Sequence, residues 1–417
     1  MEQQTPLANR IHIGFFGRCN AGKSTLINCL TGQDISIVSE EPGTTTDPVD
    51  KSMEVLPLGP VVLIDTAGVD DESKLGELRI QKSKDKLRSC HLAMYVLRTE
   101  ESPTRKDLEW LGMHKKLGIP TLIVLNTRAI EKAQLEIAAH TYIESEPELQ
   151  TLGFPYVVVN AVEGVGREEV LSALGSLQAI DKEEVGLLDG IVEAGDTIVL
   201  VCPIDGSAPK GRLILPQVQM IREILDKRAY ALVVQTEEIP GLLDTLKEPP
   251  TLVITDSQAF GPVNKLLPED IPLTSFSILM ARFKGDLNQL VAGSRALHRL
   301  QAGAKVLISE GCTHHRQCDD IGTVKIPNWL KKAGFDQLEL AWTAGGKFPE
   351  NVEEYDLIIH CGGCMLTRRE VLRRLEVASI DGVPMVNYGV LIAYLHGILD
   401  RAIEPFEKEL NGSYRIY

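Results

Sequence analysis

The chain has little of what would tie it to a membrane, a nucleic acid or the cell exterior. No apolar run approaches the roughly 20 residues needed to cross a bilayer. Bases are outnumbered, 43 Lys and Arg against 58 Asp and Glu, and the net charge of −15 opposes a grip on phosphate backbones, which rests on clustered cations. The same charge disfavours anionic lipid. Aromatic residues are only 5% of the chain, with no basic, aromatic-rich module for stacking bases. Eight cysteines in 417 residues do not resemble a disulfide framework. Residues 1–10 lack the charged-then-apolar pattern of a secretion signal. Sequence repeats and low-complexity runs are absent. We expect a cytoplasmic protein with no nucleic-acid and no membrane partner.

With 44% hydrophobic residues the chain can build real cores, and its length suits about two to four domains. From residue 11 to 179 the apolar runs IHIGFFG, VVLIDTAG, LAMYVLR, TLIVLN and YVVVNA alternate with helical stretches at 23–32 and 76–88. Such continuous runs predict strands buried on both faces of a parallel sheet, hence a doubly wound α/β domain. Residues 181–195, acidic and Gly-containing, suggest a helical linker. The rhythm restarts with TIVLVCP, ALVVQ, TLVITDS and LTSFSI, with a helix opening near Pro216. After a long helix over 281–301 it starts again with KVLISEG, LELAWT, DLIIHC and PMVNYG, with helices near 328–333, 367–379 and 390–399. The expected architecture is a three-domain α/β chain: an N-terminal P-loop domain, then two smaller α/β domains with mainly parallel sheets.

Gly17-Arg18-Cys19-Asn20-Ala21-Gly22-Lys23-Ser24 follows a strand and opens a helix, the context a phosphate-binding loop requires. Its backbone N–H groups and the helix N-terminus suit phosphate oxygens. Lys23 should reach the β- and γ-phosphates and Ser24 should hold Mg²⁺. Asp65-Thr66-Ala67-Gly68 ends the next apolar run; Asp65 is placed to hold Mg²⁺ through water, and the Gly68 N–H can sense a γ-phosphate. Between the two lies Gly43-Thr44-Thr45-Thr46-Asp47, where a switch loop belongs. These motifs resemble the small GTPases. Asn20 and the GTT stretch are similar to the TrmE–Era-like branch, which often needs potassium. That resemblance implies K⁺ on Asn20 and the backbone of residues 39–45, Thr45 on Mg²⁺, and GTP or GDP held by Asn20, Ala21, Gly22, Lys23, Ser24, Thr25, Thr44, Thr45, Asp65, Thr66, Ala67, Gly68, Asn126, Asn160 and Ala161. Lys23, Thr45, Asp65 and Gly68 would carry GTP hydrolysis. Val69 stands where a water-orienting Gln sits in Ras-like enzymes, so slow, cation-activated turnover is expected. The base-reading Asn-Lys-x-Asp reads Asn126-Thr127-Arg128-Ala129. Losing the Asp removes hydrogen bonds worth about 1.5–3 kcal/mol each, so guanine selectivity should weaken unless a neighbour such as Glu131 compensates.

The remaining cysteines explain themselves unequally. Cys29, Cys90 and Cys202 lie in apolar surroundings and read as buried thiols. Cys312-Thr313-His314 and His360-Cys361-Gly362-Gly363-Cys364 both follow apolar strands, which puts them at strand C-termini, the binding rim of an open α/β sheet. Cys318 is six residues beyond Cys312 and reads as no ligand. Three chemistries fit. Zinc could take Cys312, His314, Cys361 and Cys364; a redox C-x-x-C would use Cys361 and Cys364; a 4Fe–4S cluster would use Cys312, Cys361 and Cys364. Spacing leaves zinc and iron–sulfur on an equal footing. His314 and His360 would be donors to the ligands or exchangeable ligands themselves.

The N-terminal GTPase motifs combined with C-x-H and H-C-x-x-C resemble the HydF family, the FeFe-hydrogenase maturation GTPases, over the whole chain. The resemblance implies a 4Fe–4S cluster on Cys312, Cys361 and Cys364. It implies a scaffold that receives a two-iron precursor made with two radical-SAM maturases and delivers it to apo FeFe-hydrogenase, and a homodimer. It divides the chain into a GTPase domain (1–180), a dimerisation domain (185–270) and a cluster-binding domain (271–417). The competing reading is a nucleotide-regulated, zinc-containing RNA-modification or ribosome-assembly factor.

Overall fold

The computed structural model describes residues 10–32, 49–55, 59–70, 76–178, 186–204, 213–311, 320–345, 348–349 and 351–410. The chain divides into two compact units, residues 1–183 and 184–417.

In the first unit the apolar runs form β1 (Ile11–Phe16), β3 (Gly59–Asp65), β4 (Leu92–Arg98), β5 (Thr121–Asn126) and β6 (Tyr156–Val159). The sheet order is β2-β3-β1-β4-β5-β6. All pairs are parallel except β2 (Val49–Val55), which runs antiparallel to β3 and was not legible as a strand. Alternate residues feed two cores. Ile13, Phe15, Met94 and Val96 pack with Leu26 and Leu30 of helix Lys23–Thr31 and with Val170 and Leu174 of helix Arg167–Gln178. On the other face Phe16, Ala93, Tyr95 and Leu97 pack with Leu87, Trp110, Leu111 and Tyr142 from three further helices. This is the doubly wound arrangement expected.

The second unit contains two four-stranded parallel sheets. One has the order β10-β9-β7-β8, from β7 (Thr197–Val201), β8 (Tyr230–Val234), β9 (Leu252–Thr255) and β10 (Leu273–Ser275). The other has β12-β11-β13-β14, from β11 (Lys305–Glu310), β12 (Glu339–Ala344), β13 (Leu357–His360) and β14 (Met385–Asn387). Both follow the same rule: the first strand of each set is central, the second lies on one side, the third and fourth on the other. The chain therefore repeats a topology without repeating a sequence. A single apolar core, from Leu187 to Leu410, runs through both sheets.

Three local expectations are corrected. The described part of the linker, 186–195, forms turns rather than a helix. Gly190 has φ +73°, and Leu187, Leu188 and Val192 are buried in the core of the second unit. The long helix over 281–301 is broken into Phe276–Lys284 and Leu287–Ser294, because Gly285 leaves helical geometry and Asp286 caps a new start by accepting from Gln289 N at 3.0 Å. The boundary at 270 severs β10, which pairs with β9; the second sheet extends at least to Ser275.

Candidate functional site

β1 leads directly into the phosphate loop. Gly17, Asn20 and Gly22 have φ of 136°, 60° and 96°, which curls residues 17–22. Gly22 cannot be replaced cheaply, since an added Cβ would lie 2.3 Å from Asn126 Nδ2. Asn20 is exposed on the loop. Lys23 is 7% exposed; its Nζ donates to Gly17 O (3.0 Å) and Arg18 O (2.8 Å). Burial lowers its pKa, while Asp65, Cys19 and Asp70 pull it back up. Ser24 Oγ donates to Asp65 Oδ2 at 2.6 Å, so the hydroxyl and carboxylate expected at magnesium are side by side. Thr66 Oγ1 donates to Phe15 O at 2.6 Å, and Val69 N to Gly17 O at 3.2 Å. Gly68 is buried against Cys19, and Asp70 Oδ1 accepts from Cys19 N at 2.6 Å. The phosphate loop and the Asp65–Asp70 turn are thus laced together. Val69 is 2% exposed and belongs to the core. Thr25 and Ala67 are half-buried. Thr44, Thr45 and the whole stretch 39–47 lie outside the described residues.

The base-reading positions converge as well. Asn126 Nδ2 donates to Ala21 O (3.1 Å), and its Oδ1 accepts from Ala161 N (3.2 Å). Asn160 Nδ2 donates to Ala129 O (3.0 Å), while its Oδ1 accepts from Val162 N and Glu163 N. These bonds brace the site but leave no carboxylate at 129. Glu131 is exposed and makes no capping bond. Sequence reasoning missed Arg18. It ion-pairs with Glu101 (3.0 Å) and Asp107 (3.1 Å). Asp107 is fully buried, closes the Thr104 capping box and accepts from Tyr95 OH at 2.9 Å. The signal was there as Thr104-x-x-Asp107.

In the second unit Cys361 and Cys364 sit just past β13, on the rim of the third sheet. Cys361 Sγ accepts from Gly311 N at 3.0 Å and from Gly363 N at 3.4 Å. Gly363 has φ +61°, the left-handed turn that lets its N–H point back at sulfur. Burial pushes both thiols up, but these amides and, for Cys364, Lys284 favour the thiolate. His360 is 2% exposed. Arg374 Nη1 donates to His360 Nε2 (3.2 Å); a guanidinium only donates, so Nδ1 carries the proton and donates to Cys361 O (2.7 Å). Burial, then Arg374, lowers the His360 pKa to about 4. Both ring nitrogens are spent, which fits a donor to the ligand strand and leaves no lone pair for a metal. Arg374, fully buried, also bonds Glu370 Oε1 (2.8 Å), Ser309 Oγ and Gly345 O. Lys284 Nζ donates to Gly363 O and Cys364 O, both at 3.1 Å, and to Leu366 O. Burial lowers its pKa to about 8, against the pull of Cys364 and Cys361. Among the described residues no set of three or more metal-ligating groups is assembled; Cys312, His314 and Cys318 lie outside them. The amide-to-sulfur bonds and the nearby buried cation suit anionic, metal-bound thiolates. Cys29 is half-buried, Cys90 and Cys202 are buried and Cys19 is exposed. No helix among the described residues is long and apolar enough to cross a membrane.

Comparison with known proteins finds three matching stretches along the chain. Residues 12–127 match the family model described as 50S ribosome-binding GTPase. Residues 187–285 match the hydrogen maturase F dimerization domain, and 288–405 its tetramerization domain. Among curated proteins, GTPase Der of Desulforudis audaxviator is 30% identical over 185 residues, 43% of this chain and 42% of Der. Der of Methylacidiphilum infernorum is 32% identical over 182 residues, 42% of this chain and 39% of Der. The chain thus spans less than half of the length of these relatives. Among solved structures, an Aquifex aeolicus Era bound to GDP·AlF4⁻ aligns at 17% identity and TM-score 0.35, over 61% of this chain and 97% of that one. With a GTPase domain followed by both of that family's oligomerization domains, the chain belongs to the hydrogen maturase F (HydF) family.

Proposed function

We propose that this protein is a GTP-hydrolysing scaffold in FeFe-hydrogenase maturation, holding a 4Fe–4S cluster on Cys312, Cys361 and Cys364 and delivering a two-iron precursor to apo-hydrogenase. The observation that carries the cluster reading is the pair of amide donors on Cys361 Sγ, one of them from Gly311. Gly311 directly precedes Cys312 in sequence, so the residue before the third thiol is hydrogen-bonded to the sulfur of Cys361. A bound cluster with three protein thiolates would offer an open iron for the precursor's bridging ligand. The protein's own residues orient the Cys361 sulfur: Gly311 and Gly363 donate to it, and His360, fixed by Arg374, holds the Cys361 carbonyl. The two radical-SAM maturases would supply the precursor, and apo-hydrogenase would take it.

In the first unit Lys23 binds phosphate oxygens, Ser24 and Asp65 serve Mg²⁺ with Thr45, and Asn20 serves K⁺. Buried Val69 cannot orient water, which supports slow turnover that a cation or partner accelerates. The homodimer reading gains support from β8. It is an edge strand of the second sheet with exposed Tyr230 and Val233, and unpaired apolar edges invite a second chain.

Anaerobic reconstitution with ferrous iron and sulfide tests the cluster. We expect equal iron and acid-labile sulfide, a 4Fe–4S EPR signal on reduction, and loss of both in Cys312→Ser, Cys361→Ser and Cys364→Ser. Stoichiometric zinc with no iron uptake would overturn the reading in favour of the zinc-containing RNA or ribosome factor. Unchanged hydrogenase activation by a folded Lys23→Ala variant would remove nucleotide control from the scheme.

A further inference from the structure

The helix Phe276–Lys284 begins where β10 of the second sheet ends and stops at a lysine that is 1% exposed. Among the described residues no carboxylate pairs with Lys284. Its ammonium carries three protons, and each goes to a carbonyl of the thiolate loop: Gly363 O, Cys364 O and Leu366 O. The same helix meets the loop again. A Cβ on Gly362 would sit 3.5 Å from Ser277 Oγ, and Arg368 Nε, just beyond the loop, donates to Phe283 O at 3.1 Å. The helix belongs to the stretch matching the dimerization domain, the loop to the stretch matching the tetramerization domain.

Packing does not ask for a charge here. A buried ammonium is costly unless it is bonded and compensated, and a methionine would fill the space without that cost. Carbonyl oxygens alone neutralise nothing. Among the described residues, the groups whose negative charge attracts this ammonium are the sulfurs of Cys364 and Cys361, in their thiolate form.

We propose that Lys284 is a positioning residue for the cluster site: it locks the carbonyls of the Cys361–Leu366 loop from outside and sets a fixed positive charge beside the thiolates, so that one oligomerization domain holds the ligand loop of the other in shape. This rests on the reading of Cys361 and Cys364 as cluster ligands. The lock lowers the freedom of the loop before any metal arrives. The charge favours an anionic cluster, and favours its reduced form over its oxidised form.

The test uses the full chain as wild type, Lys284→Gln and Lys284→Met, each checked for fold by circular dichroism. Amide hydrogen exchange across residues 361–366 is measured before reconstitution. Cluster loss to EDTA and the midpoint potential are measured after reconstitution with ferrous iron and sulfide. Lys284→Met should raise exchange in the loop severalfold and speed cluster loss. Lys284→Gln keeps donors but not the charge, so its loop should stay protected while the midpoint potential moves negative. Wild-type exchange in Lys284→Met together with a wild-type potential in Lys284→Gln would reduce Lys284 to a space-filler and overturn the proposal. Should Lys284→Met fail to fold, the potential of Lys284→Gln decides. Should the wild type take up no iron, the cluster reading fails, and hydrogen exchange still decides the lock.

Discussion

The phosphate loop of the first unit and the thiolate loop of the second use the same device. Each follows a parallel strand, turns on a glycine with positive φ, and has a buried lysine whose amine is bonded to the loop's own carbonyls. They differ in where the lysine comes from. Lys23 lies six and five residues from the carbonyls it holds. Lys284 lies 79 to 82 residues away, on a helix that starts from another sheet. A short-range clamp is part of the motif and travels with it. A long-range clamp exists only if two sheets share one core, so the second site depends on its surroundings in a way the first does not.

The largest effect that sharpens this contrast should come from Lys23→Ala. Removing the cation proposed to meet the β- and γ-phosphates should cut GTP turnover by about a hundredfold or more, with the unfolding transition of the second unit unmoved; phosphate-release kinetics and calorimetry read both. Next, Gly293→Ala should break the shared frame of the second unit. Its Cβ would fall 1.9 Å from Met385 O, forcing helix Leu287–Ser294 away from β14. We expect a loss of about 1–3 kcal/mol in denaturant unfolding and lower iron uptake, with GTP turnover preserved.

Ala129→Asp probes how far the first site has drifted within its own motif. The wild type should prefer GTP over ATP by less than about a thousandfold, and the restored carboxylate should raise that preference by about tenfold or more. Competition titrations measure it, and a wild-type preference beyond a thousandfold would defeat the expectation. The smallest effect concerns His114. Burial lowers its pKa to about 3, below the ~6.5 of an unfolded histidine. The unfolded chain takes up the proton first, so this contribution is complete above pH ~6.5 and is lost as pH falls towards 3. Thermal unfolding of the first unit between pH 7 and 4 should show that slope, and His114→Phe should flatten it.

Legibility followed the same division. The parallel strands of all three sheets were visible because each is a continuous apolar run; β2 was not, because VDKSMEV carries no such run and pairs antiparallel at an edge. The broken helix at Gly285 and Asp286 was missed because apolar spacing continues across it. In the phosphate site, Lys23, Ser24 and Asp65 were named from the motif, whereas Arg18 and Asp70 were not, since their partners Asp107 and Cys19 N come from separate segments. His360 was named with two possible roles. Only Arg374, reaching it across helix Arg368–Ile380, assigns its tautomer.

By itself the sequence determined the parallel strands, the phosphate loop, the altered base-reading motif and which sulfurs stand beside glycines, because those depend on neighbours a few residues apart. Tertiary structure decided that two sheets share one core, that His360 is spent on Arg374 and Cys361, and that Lys284 reaches the thiolate loop. Those outcomes depend on burial and hydrogen-bond geometry between distant segments, and no local pattern carries that information.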